Sequence, residues 1–367
     1  MHTLTVIAEM GSGGAETVVA QLARRSRDRG DIVTVASAGG WRADELIPHG
    51  VETQRLPLAD PRVVPQLRAG RALRRIVRDT QVDLVHAHNV RATVAAWQGL
   101  AGRRADVPVV STVHGLGDRH YRWAARILAR CADHVVAVST DVAERLVAGG
   151  LGTDRLSVIE NAPAPVRLVD RDLARRELDL PADAPVALCL ARLSRPKRQD
   201  LLVEGWSDVP EPAVLLLAGD GPERESLEQQ VWASSARGRV YLLGDRQDAV
   251  RLLSACDLLV LPTDREGLPM TVLEAMAAGV PVVASDVGGL RSIARTALRP
   301  VVPGSAVALA DAVNELFGSA EARARLVRGA SEVVQTRFSP TMMSAAYFAV
   351  YDELARKKSR SQCQEGY

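Results

Sequence analysis

A repeated alternation of short apolar runs with helix-length segments constrains the fold of this chain more than any other feature. Each apolar run has the length of a β-strand and is rich in Val, Leu and Ala, whereas the intervening segments show helical periodicity. Such alternation is typical of a parallel sheet covered by helices on both faces. The predicted strands of the first half are Leu4–Ala8, Ile32–Ser37, Leu84–His88, Val109–His114 and His134–Ser139. Its predicted helices include Ala15–Arg29, Val63–Arg78 and Tyr121–Cys131.

The alternation is interrupted at Val158–Pro165, where two prolines fall within three residues and no amphipathic pattern is present. It then restarts, with predicted strands at Ala187–Leu190, Val214–Ala218, Val240–Leu243, Leu258–Leu261 and Val282–Ala284. A length of 367 residues also favours two domains. We therefore predict an α/β protein with two Rossmann-like, doubly wound domains, 1–165 and 166–339. A helix over 340–355 and a disordered tail over 356–367 complete the prediction.

Composition and charge exclude several classes of function. The formal net charge of +2 does not indicate nucleic-acid binding. The cysteines lie far apart without CxxC spacing, which argues against a metal site or a disulfide framework; they are Cys131, Cys189, Cys256 and Cys363. The first ten residues lack a signal-peptide pattern, and no run reaches the ~18 apolar residues of a membrane span. The sequence therefore predicts a cytoplasmic protein.

The segment from Asp264 to Ser285 carries the most specific chemical signal. It follows a predicted strand, and Pro269 suits the first turn of a helix that Gly279 ends. Backbone N–H groups near Gly267–Met270 would then form a phosphate site at the helix start, where Leu268 and Pro269 also lie. Glu274, about one turn into the helix, can accept hydrogen bonds from vicinal hydroxyls such as those of a ribose. Glu266, before the helix, would lie nearer to a reacting sugar.

Two alternatives exist for neutralising a bound diphosphate. Asp264 and Glu266 have the spacing of a carboxylate pair that holds a divalent cation. The loop Ala191–Asp200 offers cations instead, because the Arg192 guanidinium forks onto phosphate oxygens and Lys197 supplies a point charge. The sequence favours this second route, and we expect neither a metal nor another cofactor.

These motifs resemble the Glu-x7-Glu signature, with Arg-x4-Lys upstream, of retaining GT-B glycosyltransferases of family 4. The resemblance implies two Rossmann-like domains that face an interdomain cleft, with Glu266, His114, Arg192 and Lys197 in catalytic roles. Gly219–Pro222 matches the family's Gly-x-Gly-Pro turn. Leu243–Arg246 corresponds to the loop that reads the nucleobase, largely by backbone contacts. Ser292 stands where the family often has a carboxylate, so the sequence departs from the family's motif at this position.

The first domain carries a glycine-rich loop and a strand-end histidine. Glu16 occupies the last glycine position of a GxGxxG fingerprint and the second strand ends without an acid, so an NAD site is disfavoured. In the resembling family, Gly13 and Gly14 would approach the donor phosphate, and His114 would face the donor sugar from across the cleft. His86 and His88 have the spacing of two metal ligands on one strand face, but no third ligand is evident.

A basic helix is predicted between Arg62 and Arg78, with six arginines and no acids. Several members of the resembling family dock on anionic membranes through such helices. An ordinary solvated face is the alternative. The sequence therefore leaves open a weak peripheral contact with the inner face of the cell membrane.

The expected function is transfer of a sugar from a nucleoside-diphosphate sugar to an acceptor hydroxyl, with retention at the anomeric carbon. A UDP-sugar is favoured as donor and a GDP-sugar comes next. Polysaccharide, glycolipid and natural-product acceptors remain open, and the oligomeric state is unknown. The alternatives are a nucleotide-sugar-binding protein that has lost catalysis and a GT-B nucleotide-sugar epimerase.

Overall fold

The computed structural model describes residues 1–60, 62–102, 106–293 and 295–365. The chain divides into two compact units. The first comprises Met1–Asn161 together with the segment from Pro340 onward, and the second comprises Ala162–Ser339. The change of unit thus falls at Asn161, where the sequence prediction placed it at 165. Pro163 and Pro165 interrupt regular structure next to this boundary, so the boundary could be predicted from the sequence.

The described part of the first unit contains a seven-stranded parallel sheet in the order β3-β2-β1-β4-β5-β6-β7. Its strands are β1 His2–Val6, β2 Ile32–Ser37, β3 Glu52–Arg55, β4 Leu84–His88, β5 Val109–Val113, β6 His134–Ala137 and β7 Leu156–Val158. Its α-helices up to the linker are α1 Gly14–Asp28, α2 Trp41–Asp44, α3 Val63–Asp79, α4 Val90–Gly99, α5 Tyr121–Cys131 and α6 Thr140–Ala148. All residues of β1, β4 and β5 are buried, as expected for strands covered on both faces.

The described part of the second unit contains a six-stranded parallel sheet in the order β10-β9-β8-β11-β12-β13. Its strands are β8 Val186–Leu190, β9 Val214–Ala218, β10 Val240–Gly244, β11 Leu258–Leu261, β12 Val282–Ser285 and β13 Arg299–Val301. Its α-helices are α7 Arg171–Glu177, α8 Gln199–Gly205, α9 Arg224–Ala233, α10 Ala249–Ala255, α11 Met270–Ala277, α12 Ala306–Gly318 and α13 Ala320–Arg337. The carboxyl ends of β8 and β11, which are neighbours, bring two loops together at one edge of the sheet.

The last helix, α14 Pro340–Glu365, belongs to the first unit. Tyr347 and Tyr351 on this helix are buried at 0% and 2% exposure, and Arg29 of α1 pairs with Asp352 at 3.2 Å. The helix runs through Glu365, which corrects the predicted disorder over residues 356–365; residues 366 and 367 lie outside the described ones. The segment contains no Gly or Pro before residue 366, so nothing in it ends a helix.

Three of the strands were not predicted from the sequence. β3 lies at the edge of its sheet and is largely exposed, so it lacks an apolar run. β7 and β13 have three residues each, which is too short for a readable pattern. No helix among the described residues is long and apolar enough to cross a membrane.

Candidate active site

Two loops of the second unit are joined at the carboxyl edge of its sheet. One follows β8 and contains the short 3-10 helix Arg195–Lys197, and the other follows β11. The carbonyl oxygen of Pro196 accepts hydrogen bonds from the backbone N–H of Asp264 at 2.8 Å and the hydroxyl of Thr263 at 2.9 Å. Because these contacts run through backbone groups and a buried hydroxyl, they hold the two loops next to each other.

Lys197 and Glu266 form an ion pair between these loops, with Nζ of Lys197 donating to Oε1 of Glu266. Their side chains are 25% and 11% exposed, so both are partly shielded from water. Oγ1 of Thr263 lies 3.2 Å from the same carboxylate oxygen. Cys189 lies behind the pair, and burial raises the pKa of its thiol to about 12, so the thiol stays neutral. Two residues singled out by the sequence are thus in direct contact.

Asp264 and Glu266 each have a cationic partner, which bears on the metal alternative. Nη1 of Arg198 lies 3.3 Å from Oδ1 of Asp264, and Glu266 pairs with Lys197. The described residues contain no group of three or more His, Cys, Asp or Glu side chains that could hold a metal ion.

Arg192 lies on the β8 loop and is exposed. Two glycines pack closely against the backbone of this loop. A Cβ at Gly219 would lie 2.1 Å from the carbonyl oxygen of Ala191. A Cβ at Gly221 would lie 2.2 Å from that of Leu193. Both glycines also have positive φ angles, 138° and 159°. The Gly-Asp-Gly-Pro turn therefore supports the loop that presents Arg192.

The start of α11 adjoins Glu266, and Gly267, Leu268 and Pro269 are buried there. A helix start leaves N–H groups of the first turn without intrahelical carbonyl partners and has a positive dipole end. Glu274 is half-buried in the second turn of this helix.

Gly288 places its backbone against that of Glu266. Its φ angle is 48°, a Cβ there would lie 2.0 Å from the Glu266 carbonyl oxygen, and Gly289 N–H donates to the same oxygen at 3.2 Å. The Gly288–Gly289 pair thus fixes the backbone that carries Glu266.

Leu243 and Arg246 lie at the end of β10 and in the loop after it. The Arg246 guanidinium makes two hydrogen bonds to the carboxylate of Asp248, at 2.7 and 2.6 Å. These bonds lower the pKa of Asp248 and keep the pair ionised. Arg246 is therefore held by the protein itself, while half-buried Leu243 borders the loop.

In the first unit, Gly13 precedes α1 and Gly14 begins it. A Cβ at Gly13 would lie 2.1 Å from Oε2 of Glu16, so a carboxylate of the protein lies against this helix start. The sequence prediction placed a donor phosphate here. An anion would have to displace the flexible Glu16 side chain, because like charges repel.

His114 lies just after β5, beside the two histidines of β4. Nδ1 of His88 is 2.9 Å from Nε2 of His114, and the two rings are stacked. Nε2 of His86 is 2.7 Å from Oγ1 of Thr112, and Nδ1 of His86 is 2.6 Å from the hydroxyl of Tyr351. Burial lowers the pKa of His114 to about 4 and that of His86 to about 3, so both are neutral at pH 7.

The predicted basic helix corresponds to α3. Arg62 pairs with Asp60 and Arg78 with Asp79, so the ends of the segment are charge-compensated. The arginines between them are exposed, and so are the apolar side chains of Val64 and Leu67; these arginines are Arg68, Arg71, Arg74 and Arg75.

Sequence reasoning missed three contributors to these sites. Thr263, 1% exposed, binds both the Pro196 carbonyl and Glu266, and its place two residues after a predicted strand was the available signal. The Tyr347 hydroxyl contacts that of Thr112, 235 positions away in the sequence, and the Tyr351 hydroxyl contacts His86, 265 positions away. No local pattern can reveal a contact of that range.

Two family models match the chain. The model described as "Glycosyl transferases group 1" matches residues 170–333, and "Glycosyltransferase Family 4" matches residues 12–163. The lipopolysaccharide core biosynthesis glycosyltransferase LpsD of Rhizobium meliloti is 30% identical over 362 residues, covering 94% of this chain and 97% of that protein. The D-inositol 3-phosphate glycosyltransferase of Xylanimonas cellulosilytica is 29% identical over 307 residues, covering 75% and 73%.

Solved structures have the same fold. The crystal structure of Anabaena Alr3699/HepE in complex with UDP-glucose superposes with a TM-score of 0.84 and 23% identity, covering 96% of this chain and 100% of that one. At this identity the likeness shows the fold, which is the GT-B fold predicted from the sequence.

Proposed function

Because the chain belongs to the group 1 glycosyltransferases of family 4, we propose that it transfers a sugar from a nucleoside-diphosphate sugar to an acceptor hydroxyl. The observation that carries this proposal is the Lys197–Glu266 ion pair at the start of α11, beside the loop that presents Arg192. Cations, a helix start and a partly shielded carboxylate together suit a diphosphate joined to a polyhydroxyl sugar. The similar HepE structure contains UDP-glucose, which supports a UDP-sugar as donor, with a GDP-sugar next.

Three kinds of group have different roles in the proposed donor site. Arg192 and Lys197 hold the diphosphate and stabilise the charge that builds on it as the sugar–phosphate bond breaks. Backbone N–H groups of the Gly267–Met270 segment, at the start of α11, add fixed dipoles. When Lys197 turns to the diphosphate, Glu266 is released to accept hydrogen bonds from hydroxyls of the donor sugar.

The nucleoside would be held by the second unit. Glu274 accepts hydrogen bonds from the ribose hydroxyls, and the backbone around Leu243 reads the base. Arg246, fixed by Asp248, lines that loop rather than changing partners. In the first unit, His114 hydrogen-bonds a hydroxyl of the donor sugar, and the Gly13–Gly14 backbone approaches the donor phosphate once Glu16 moves aside.

We further propose that transfer proceeds with retention and without a metal ion. The cationic partners of Asp264 and Glu266 support the metal-free route, since a divalent cation would have to displace Arg198 and Lys197. The leaving phosphate oxygen takes the acceptor proton. Turnover with and without EDTA tests the metal-free route, and NMR of the anomeric proton in the product tests retention.

The acceptor is proposed only as a hydroxyl compound of surface polysaccharide, glycolipid or natural-product biosynthesis. Exposed arginines and apolar side chains on α3 support a peripheral contact with the cytoplasmic face of an anionic membrane. Co-sedimentation with vesicles containing or lacking anionic lipid tests this contact.

Thermal stabilisation by UDP-, GDP- and ADP-glucose tests the donor. A ligand at 100 times its Kd adds about 2.7 kcal/mol to stability. Glu274→Ala should weaken UDP binding roughly tenfold or more, because the ribose hydroxyls lose their hydrogen bonds to a charged acceptor. Lys197→Ala should lower kcat about a hundredfold. Arg195→Ala, an exposed cation on the same loop, is the matched control and should keep wild-type values.

The outcomes separate the proposal from its alternatives. Release of nucleoside diphosphate that depends on an acceptor supports transfer. Binding of the donor without any release would identify a catalytically inactive binding protein, and conversion of the donor to an epimer would identify an epimerase. Wild-type binding and turnover in both Glu274→Ala and Lys197→Ala would remove the proposed site.

A further inference from the structure

His88 has no role in the function proposed above, although it is fully buried directly against His114. It is the last residue of β4, it lies opposite Thr112 of β5 in the parallel register, and its exposure is 0%. The next residue, Asn89, has a φ angle of 82° and caps α4, with its side chain accepting from the N–H of Ala92 at 3.1 Å. The backbone that follows His88 is thus fixed by the start of α4.

The two nitrogens of His88 have different surroundings. Nδ1 lies 2.9 Å from Nε2 of His114, whereas Nε2 of His88 is buried and has no hydrogen-bond partner among the described residues. Burial lowers the pKa of both imidazoles, that of His88 well below its usual value, so each ring is neutral at pH 7. A neutral imidazole carries one N–H, and the other nitrogen is an acceptor.

The tautomer of His88 follows from the cost of its buried nitrogen. If Nε2 carried the proton, a donor N–H would be buried without an acceptor, which is the rarer and costlier arrangement. With the proton on Nδ1, His88 donates to Nε2 of His114 and leaves only a lone pair unpartnered. His114 must then carry its own proton on Nδ1.

We propose that His88 is a positioning residue that fixes the tautomer of His114, so that His114 presents its Nδ1–H as a hydrogen-bond donor to an oxygen of the bound sugar. The identity of that ligand rests on the proposed function, whereas the tautomer does not. An N–H donor at this position binds a ligand oxygen that accepts a hydrogen bond. It cannot act as a base toward a ligand hydroxyl. His114 thereby orients the sugar and takes no proton from it.

The His86 side of the cluster supports this rigidity. The rings of His86 and His88 have centroids 4.1 Å apart, and His86 is itself held by Thr112 and by Tyr351 of α14. The His88 ring is therefore fixed on both sides, by His86 and by His114.

Two substitutions at His88 separate a donor role from simple packing. His88→Leu removes both nitrogens, whereas His88→Asn keeps an amide N–H close to the Nδ1 position. The matched control is His2→Leu, which removes another buried strand histidine of the same sheet, bonded at 2.9 Å to the hydroxyl of Thr34.

The direct test is a long-range ¹H–¹⁵N correlation spectrum of histidine-labelled protein without ligand, with His114 assigned by its absence in His114→Gln. We expect His114 to be protonated on Nδ1 in the wild type, in His88→Asn and in His2→Leu, and to shift toward the Nε2 tautomer in His88→Leu. An Nε2-protonated His114 in the wild type would overturn the proposal, as would an unchanged tautomer in His88→Leu. If His88→Leu does not fold, the wild-type and His88→Asn spectra still decide.

Kinetics provide the second readout. With UDP-glucose turned over by the wild type, His88→Leu should lower kcat about tenfold or more, leave the donor KM within about threefold, and be rescued in His88→Asn. A loss in His88→Asn equal to that in His88→Leu counts against a donor role. If no donor is turned over by the wild type, the proposed function fails while the tautomer measurement still judges the role of His88.

Discussion

Acidification should destabilise the first unit through His86, and the size of the effect can be worked out from its surroundings. Burial, with a smaller contribution from His114, lowers the pKa of His86 from 6.5 to about 3. The unfolded chain therefore takes up a proton below pH 6.5 that the folded protein does not. The stability is fully present above pH 6.5 and falls by about 1.4 kcal/mol per pH unit toward pH 3. At pH 5 the loss is about 2 kcal/mol.

The perturbation that isolates this effect is His86→Gln. The glutamine amide can still reach the Thr112 hydroxyl, but it does not titrate, and it leaves the Tyr351 hydroxyl without its partner. We expect the variant to be less stable than the wild type at pH 8, by about 1–3 kcal/mol. Its stability should nevertheless decline less steeply between pH 6.5 and pH 5.

Thermal unfolding at a series of pH values measures the difference. For a unit of this size, 2 kcal/mol corresponds to a shift of roughly 4–8 °C in Tm, so the gap between the two proteins should narrow by that amount on going from pH 8 to pH 5. His49→Gln, at an exposed histidine, is the control and should follow the wild type. Parallel curves for His86→Gln and the wild type would refute the reasoning.

The remaining predictions concern the second unit. Thr263→Val removes the hydroxyl that joins the two loops and should cost about 1–3 kcal/mol and weaken donor binding, whereas Thr263→Ser should retain both, as unfolding and calorimetric titration can show. Gly288→Ala introduces a side chain at a φ of 48° against the Glu266 carbonyl; it should reduce donor affinity, and unchanged binding would contradict the role of this glycine. Arg175→Met leaves the carboxylate of Asp257 without its buried partner, so we expect a loss of about 3–5 kcal/mol in unfolding experiments; a loss below 1 kcal/mol would argue that Arg171 compensates.

The sequence predicted the strands that are buried on both faces, because a continuous apolar run is the direct result of such burial. β11 has the predicted bounds, Leu258–Leu261, and so does β9, Val214–Ala218. β3 was not predicted, because an exposed edge strand needs no apolar residues. The alternation therefore indicates the interior of a parallel sheet reliably and its edges poorly.

The candidate site was predictable where a motif fixes local backbone, and not where two distant segments meet. The spacing from Pro269 to Gly279 predicted a helix, and α11 is that helix. The pairing of Lys197 with Glu266 was not predicted, since each was assigned to a ligand. Nothing in the sequence around either residue indicates that these two side chains, 69 positions apart, are in contact.

The cations of the candidate site therefore differ in what a diphosphate would gain from them. Lys197 already has a carboxylate partner, so binding phosphate exchanges one anion for another and the Coulomb energies largely cancel. Arg192 is exposed and pairs with no carboxylate among the described residues, so its attraction to phosphate is not offset, although water weakens it. Ground-state affinity should come mainly from Arg192 and the start of α11. Lys197 contributes most once extra charge builds on the leaving phosphate, because only then does that oxygen attract it more strongly than Glu266 does.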